Sequence, residues 1–200
     1  MNKLRIYHKN KGDFNLILLH GYGANGKDLM SFESYVPENF ALIFPEGPYD
    51  LDQFYIDAKA WFRIDLETLS FDEEQYASST NALLEVIAKM DPSKTIIAGF
   101  SQGAMMTMAL ALKSPKPFLG IGLFSTMPLI FEGLEDSSTH FFQSHGLYDN
   151  LLSYDQAQKL FNALISAGWK GEFVSFPGGH EMPVEVLLKF KEFINACISY

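Results

Sequence analysis

A glycine-flanked serine between a strand-like run and a helix-like run constrains the fold of this chain more than any other feature. Residues 95–98 are mostly apolar and β-branched, residues 104–110 are good helix formers, and the pentapeptide Gly99-Phe100-Ser101-Gln102-Gly103 joins them. A G-x-S-x-G at a strand-to-helix junction holds a serine hydroxyl out on a sharp turn, where glycines remove side chains that would collide with the strand and the helix. Ser101 is therefore a candidate nucleophile.

The apolar pattern of the chain predicts an α/β fold with a mostly parallel central sheet and helices on both faces. Helical patterns lie between most of the strand candidates, among them one that opens with a capping box at Ser70 and a last one that starts near Pro183. In such a sheet, ligands bind at the carboxyl ends of the strands. The candidate strands, rich in β-branched and aromatic residues, are residues 4–7, 14–19, 41–44, 95–98, 118–124, 140–144 and 172–176.

Composition predicts one soluble, cytoplasmic domain spanning residues 1–200. With 48% hydrophobic residues the chain can bury one core, and no linker-like segment or repeat divides it. It has no apolar stretch long enough to span a membrane, no secretory signal, and a single cysteine, Cys197, which permits no internal disulfide. The formal net charge of −9 disfavours nucleic acid and anionic membranes as partners and favours neutral or cationic substrates. The oligomeric state stays open, with a homodimer as one alternative.

Two loops after strand-like runs carry the partners that a serine nucleophile needs. A histidine must take the proton of the serine, and a buried carboxylate must fix the tautomer of that histidine. His180 follows the run at 172–176 and is the candidate general base, while Asp149 lies one loop beyond the run at 140–144 and is the candidate orienting acid. The chain order Ser101, Asp149, His180 is the order found in α/β-hydrolases.

Backbone N–H groups must also stabilise the negative oxygen of the tetrahedral intermediate. One donor is expected from Gln102, the residue after the candidate nucleophile. The other is expected from Tyr22, which lies in the glycine-rich segment 20–26 after an early strand. Glycines there permit a backbone that turns inward, toward the serine.

Other residues of suitable chemistry have simpler explanations. His20 and His145 each precede a glycine at a strand end, where a histidine is usually a hydrogen-bonded structural residue. Asp155 competes with Asp149 as the acid, but its place in the first turn of a predicted helix explains its charge. The chain has neither the ligand spacing of a metal site nor a phosphate-binding glycine pattern, so we expect no metal and no cofactor.

Together these motifs resemble the phospholipase/carboxylesterase family of α/β-hydrolases, which includes bacterial carboxylesterases, lysophospholipases and acyl-protein thioesterases. The resemblance implies a carboxylesterase-type serine hydrolase of short-to-medium acyl esters, with thioesters and lysophospholipids as alternative substrates. The triad positions of the family match Ser101, Asp149 and His180, and its oxyanion positions match Tyr22 and Gln102. The matching segments, in the order of the family along nearly the whole chain, are 19–23, 99–103, 145–149 and 179–181.

Two apolar segments are predicted to line the substrate pocket. Trp61 and Phe62 resemble the W-[FY]-D segment that lies beside the acyl groove in this family. Met127 and Leu129 belong to an apolar loop after the strand at 118–124, at the same edge of the sheet. The alternative is that both segments merely cap the core.

Arg63 stands where the family usually has aspartate. A fixed positive charge near the mouth of the site would favour a substrate that bears an anion. Alternatively, Arg63 pairs with Asp65 or Glu67 on the surface. Arg63 is therefore included among the predicted substrate-binding residues, and both roles, substrate contact and surface ion pair, stay open.

Two other functions fit the same sequence. A non-enzymatic ligand-binding protein could use an α/β-hydrolase scaffold, since a fold does not determine a function. Such proteins usually lack a triad residue, and none is missing here. A peptidase of the same fold is the second alternative, although the chain has no insertion that would shape a peptide-binding site.

Overall fold

A seven-stranded sheet lies at the centre of the molecule. The computed structural model describes residues 4–51, 56–65, 67–68, 70–129, 134 and 139–199. Two short strands, β4 (Tyr49–Asp50) and β5 (Lys59–Ala60), form a separate antiparallel pair. The strands of the central sheet are β1 (Ile6–Lys9), β2 (Phe14–Leu19), β3 (Phe40–Pro45), β6 (Thr95–Phe100), β7 (Gly120–Phe124), β8 (His140–Gly146) and β9 (Lys170–Phe176).

The central sheet is parallel apart from one edge. Its strands run in the spatial order β1, β3, β2, β6, β7, β8, β9, and only β1 is antiparallel to its neighbour among these described pairs. The carboxyl ends of β2, β6, β8 and β9 therefore lie at the same edge. This edge carries the loops that contain the candidate nucleophile, base, acid and oxyanion donors.

Helices cover both faces of this sheet, as expected. Leu16 and Leu18 of β2 face one side, with α4 and a 3₁₀ helix at Met30–Tyr35, while Ile17 faces the other, with the remaining α-helices. Because successive side chains of a strand point to opposite faces, burial on both faces requires continuously apolar strands. The α-helices are α1 (Glu73–Ile87), α2 (Gln102–Lys113), α3 (Tyr154–Ser166) and α4 (Val184–Ile198).

The last helix packs on the sheet through glycines of β7. A Cβ at Gly122 would lie 2.7 Å from the ring of Phe190, and one at Gly120 would lie 3.1 Å from the ring of Phe193. The missing side chains leave room for these two rings in the core between β7 and α4. The predicted start of this helix near Pro183 is confirmed, because Pro183 is its N-cap residue.

The capping box predicted at Ser70 is wrong. The N-cap residue of α1 is Asp72, whose side chain accepts a hydrogen bond from the backbone N–H of Gln75 at 2.9 Å. The hydroxyl of Ser70 is instead bonded to the hydroxyl of Thr68 at 2.8 Å. An aspartate at the N-cap serves as well as a serine, so the sequence offers two competing caps two residues apart.

Candidate active site

Ser101 lies on a tight turn between β6 and α2. Its backbone adopts φ 54° and ψ −118°, a conformation that costs energy for a residue with a side chain. A Cβ at Gly99 would lie 2.3 Å from the carbonyl of Gly103, and a Cβ at Gly103 would lie 2.0 Å from the carbonyl oxygen of Leu19. The side chain of Ser101 makes no capping bond to α2, so its hydroxyl is not used to start the helix.

His180 and Asp149 are in direct contact. Nδ1 of His180 lies 2.7 Å from Oδ2 of Asp149, and the Asp149 side chain is fully buried while that of His180 is 15% exposed. A carboxylate oxygen only accepts hydrogen bonds, so Nδ1 of His180 carries the proton. This tautomer leaves Nε2 of His180 available to accept one.

The loops after β8 and β9 approach each other closely enough to make this contact. A Cβ at Gly146 would lie 2.2 Å from the carbonyl oxygen of Gly179, so only glycine fits there. The backbone N–H groups of Leu147 and Tyr148 donate to carbonyls of the β9 end, at 2.9 Å each. These bonds hold the two loops side by side and set the position of both functional side chains.

Asp149 is held in place by its own loop. Oδ1 accepts hydrogen bonds from the backbone N–H groups of Leu151 and Leu152, at 2.9 Å each. Burial opposes ionisation of this carboxyl, but the hydrogen bonds from His180, Leu152 and Leu151 outweigh it and hold the pKa of Asp149 below its ordinary value. The carboxylate is therefore ionised at neutral pH.

A cavity of about 250 Å³ lies at this edge of the sheet. Both Ser101 and His180 line it, and the His180 ring also contacts that of Phe100 at a centroid distance of 4.8 Å. No hydrogen bond joins the Ser101 hydroxyl to His180 in the described structure. Such contacts are often long before substrate binds. The other lining residues are Gly21, Tyr22, Ala24, Ile64, Gln102, Met105, Leu151 and Leu152.

Tyr22 and Gln102, the two predicted oxyanion donors, line the same cavity as Ser101. A Cβ at Gly21 would lie 3.5 Å from the Cβ of Ser101, which brings the loop after β2 against the serine turn. Gly23 donates its N–H to the carbonyl of Lys59 at 2.9 Å and steadies this loop. Within the described ranges, the backbone N–H groups of Tyr22 and Gln102 donate to no protein acceptor. Both are therefore available to a ligand.

Trp61 and Phe62 do not line the cavity, contrary to expectation. Both side chains are fully buried in the core. Their backbone instead holds the side chain of Gln102: the N–H of Trp61 donates to Oε1 at 2.9 Å, and Nε2 donates to the carbonyl of Phe62 at 2.7 Å. The segment thus positions the first residue of α2 and does not provide a wall for substrate. Sequence reasoning missed this use of the Gln102 amide.

The second predicted pocket segment also packs into the core. Met127 is buried and Leu129 is half-buried against the same apolar cluster, and neither lines the cavity. The apolar segments predicted from the sequence also include residues 49–56 and 127–131, of which 52–55 and 130–131 lie outside the described residues. Composition could not distinguish core-capping aromatics from pocket walls, since both require apolar side chains near a strand end.

Arg63 lies in a neighbouring cleft of about 370 Å³. This cleft shares Tyr22 and Ile64 with the cavity beside Ser101. Arg63 is exposed, and in the described part of the chain no ion pair joins it to Asp65 or Glu67. The surface pairing with Asp65 or Glu67 that the sequence left open is therefore not formed among these residues.

Comparison with known proteins adds to this geometry. The model of the phospholipase/carboxylesterase family matches residues 4–198 of the chain. The chain belongs to this family. The family expected from the motifs and the α/β-hydrolase fold are both confirmed, and the chain is a hydrolase.

The proteins that resemble this chain are named for different hydrolase activities. Lysophospholipase-like protein 1 of Mus musculus is 26% identical over 208 residues, which cover 90% of this chain and 85% of that protein. Acyl-protein thioesterase 1 of Eremothecium gossypii is 27% identical over 205 residues, which cover 92% of this chain and 87% of that protein. The crystal structure of esterase PE8 aligns with a TM-score of 0.86 and 25% identity, covering 98% of this chain and 100% of that one.

His20 has a structural role in this chain. Its ring is fully buried, with Nδ1 2.8 Å from the carbonyl of Gly21 and Nε2 accepting from the N–H of Gly47 at 2.9 Å. Burial lowers the pKa of His20 to about 4, so the ring is neutral. With both nitrogens engaged, it cannot serve as a base.

Metal-ligating residue types are dispersed. In the parts of the chain with described positions, no three His, Cys, Asp or Glu side chains are grouped to hold a metal ion. Cys197 is buried in α4, where burial raises the pKa of its thiol to about 11.

Among the helices that the structure describes, none has the length and apolar character needed to cross a bilayer.

Proposed function

We propose that this hydrolase cleaves short-to-medium acyl esters through an acyl-enzyme intermediate on Ser101. The observation that carries the proposal is that Ser101 and His180 line one cavity while His180 is bonded to the buried carboxylate of Asp149 at 2.7 Å. Nucleophilic acyl transfer needs a hydroxyl, a base with a free nitrogen and a group that fixes the tautomer of the base. These three groups have no comparable use in a passive binding protein.

In the first half of the proposed reaction, Nε2 of His180 takes the proton of the Ser101 hydroxyl as its oxygen attacks the acyl carbonyl carbon. The carbonyl π electrons move to its oxygen, which becomes the oxyanion of a tetrahedral intermediate. Asp149 stabilises the resulting imidazolium. The intermediate then collapses, the bond to the leaving oxygen or sulfur breaks, and His180 returns the proton to that leaving group.

The oxyanion is stabilised by the backbone N–H groups of Tyr22 and Gln102. The N–H of Gln102 also lies in the first turn of α2, where the helix dipole places partial positive charge. The clamp of the Gln102 side chain by the Trp61 and Phe62 backbone keeps this N–H in position. We expect the strained Ser101 backbone to hold the hydroxyl within reach of an oxyanion bound at both donors.

In the second half, water replaces the leaving group. Nε2 of His180 takes a proton from water, the hydroxide oxygen attacks the acyl carbonyl, and the same two N–H groups stabilise the second oxyanion. Collapse breaks the bond to Ser101, whose oxygen regains the proton from His180. The acid is released without any cofactor.

The cavity favours small acyl groups. Its volume of about 250 Å³ is below the ~300–1,000 Å³ range of pockets for drug-sized ligands. Apolar side chains, Ile64, Met105 and Leu152, supply the surface against which an acyl chain would pack. We therefore expect p-nitrophenyl acetate and butyrate to have higher kcat/KM than the laurate ester. A matched butyryl thioester run beside the butyrate ester measures the ester-to-thioester preference.

Turnover by substituted proteins tests the proposal. Ser101→Ala should abolish turnover of p-nitrophenyl butyrate while circular dichroism shows the fold intact. Asp149→Asn should lower kcat by up to about 10⁴-fold, because the amide would select the wrong tautomer of His180. Asp155→Asn is the matched control, since Asp155 lies in the first turn of α3, and it should keep parental kcat. Full activity of Ser101→Ala, or a larger loss from Asp155→Asn, would contradict the proposal.

A further inference from the structure

A second histidine contacts the carboxylate of Asp149. His145 lies in β8, and its side chain is fully buried. Its Nε2 lies 2.8 Å from the carbonyl oxygen of Leu152 and 3.3 Å from Oδ2 of Asp149. Both neighbours only accept hydrogen bonds, so Nε2 carries the proton, which it donates to the carbonyl of Leu152.

The other ring nitrogen of His145, Nδ1, is buried and has no hydrogen-bond partner among the described residues. Burial also lowers the pKa of His145. The ring is therefore neutral, with a single N–H that donates to the carbonyl of Leu152 and lies beside Oδ2 of Asp149.

This N–H lies beside a carboxylate whose own hydrogen bonds hold the surrounding turn. Oδ1 of Asp149 accepts from the backbone N–H groups of Leu151 and Leu152, and Oδ2 accepts from His180 and faces the N–H of His145. Leu152 is held twice, through its N–H by Asp149 and through its carbonyl by His145. A shift of Leu152 would break its bond to His145 and disturb its bond to Asp149.

We propose that His145 is a positioning residue that fixes the orientation of Asp149 and thereby of His180. The inference rests on the proposed function, in which Asp149 orients the base. His145 does not line the cavity and is not a catalytic residue. Its contribution is to limit the motion of a carboxylate whose hydrogen bond to His180 must keep one geometry, since small misplacements of catalytic groups lower rates strongly.

A matched pair of substitutions isolates the N–H. Glutamine places an N–H donor at a similar distance from the backbone as Nε2 of His145, whereas methionine has similar length and no donor. We expect His145→Met to lower kcat for p-nitrophenyl butyrate by about tenfold, the effect of one lost hydrogen bond, and His145→Gln to restore most of that loss. His145→Leu provides a second donor-free variant, so the comparison does not depend on one substitution.

Gln143→Met is the control for packing. Gln143 lies two residues before His145 on the same face of β8, and its Nε2 donates to the carbonyl of Ala157 in α3 at 2.7 Å. The substitution removes a similar buried bond between a side chain and a backbone carbonyl, without a contact to Asp149. It should lower thermal stability while kcat stays within about twofold of the parent.

A double-mutant cycle tests whether His145 acts through Asp149. In an Asp149→Asn background, His145→Met should cause almost no further loss of kcat, because the group it positions is already inactive. A tenfold loss in both backgrounds, or equal losses from His145→Met and His145→Gln, would overturn the inference and leave the proposed function intact. Parental kcat in Asp149→Asn alone would overturn both.

Discussion

Burial and hydrogen bonding separate the roles of chemically identical residues at this site. His20, His145 and His180 all lie at or beyond the carboxyl ends of strands of the central sheet, which is all that a sequence pattern can indicate. Both nitrogens of His20 are bonded to the backbone, whereas Nε2 of His180 is left without a proton. The role of each ring follows from its neighbours, not from its place in a motif.

The buried ring of His20 predicts a loss of stability in mild acid. Its pKa in the folded state is about 4, below the ordinary value of 6.5 that the unfolded chain has. As pH falls from 6.5 to 4, the unfolded chain binds a proton that the folded chain does not, so folding becomes less favourable. Between pH 7 and pH 5 this linkage should lower the free energy of unfolding by about 2 kcal/mol.

Urea unfolding at the two pH values measures this effect. His20→Gln keeps a polar side chain without the titration, and it should show a smaller change in unfolding free energy between pH 7 and pH 5 than the parent. An equal change in the two proteins would contradict the assignment of a buried neutral ring. The burial of His145 acts in the same direction and remains in both proteins.

At the scale of elements, the site depends on two loops that meet beyond β8 and β9. Gly146 makes the approach possible, because any side chain there would overlap the carbonyl of Gly179. Backbone hydrogen bonds from Leu147 and Tyr148 join the first loop to the end of β9 and its loop. The distance between Asp149 and His180 is thus set by the packing of backbone on backbone.

Substitution of Gly146 should separate these loops. A Cβ 2.2 Å from a backbone oxygen forces a shift, so Gly146→Ala should lower kcat/KM for p-nitrophenyl butyrate at least about tenfold and lower Tm. Gly179→Ala is the matched control, since its Cβ would meet no atom closer than 3.9 Å. It should keep kcat/KM within about twofold. Similar losses in both variants would contradict this explanation.

Strands and helices could be predicted from the sequence where their burial requires a regular pattern of apolar residues. The apolar runs that became β2, β6 and β8 and the inner face of α4 follow directly from their burial on the sheet. Trp61 was predicted as a pocket residue from its resemblance to a family segment, but an aromatic side chain suits a pocket and a core equally. The contact of His145 with Asp149 depends on the path of the turn from 149 to 152, which no spacing rule encodes.

At the scale of the whole molecule, a net charge of −9 opposes anionic ligands. Arg63 is a local exception in the cleft that adjoins the cavity through Tyr22 and Ile64. The same cleft contains two carboxylates, Asp65 and Asp72, each of which accepts hydrogen bonds from backbone N–H groups. Arg63 therefore attracts an anionic substrate, whereas the two neighbouring carboxylates and the overall charge repel it.

Matched esters measure which charge governs recognition. 4-Acetoxybenzoate has an anionic leaving group, and its methyl ester is neutral and otherwise similar. If Arg63 meets the leaving group, Arg63→Gln should lower kcat/KM for the anion about fivefold and leave the neutral ester within about twofold, and added salt should reduce the difference. Equal effects on both esters would assign Arg63 to the surface alone.

Covalent labelling tests the central claim most directly. A fluorophosphonate probe reacts with a serine that a neighbouring base has activated, and peptide mapping identifies the modified residue. The account predicts stoichiometric labelling of Ser101, no labelling of Ser101→Ala, and parental labelling of Ser125→Ala, whose serine also has a positive φ at the end of a strand. An unlabelled parent protein, or a label on any other residue, would contradict it.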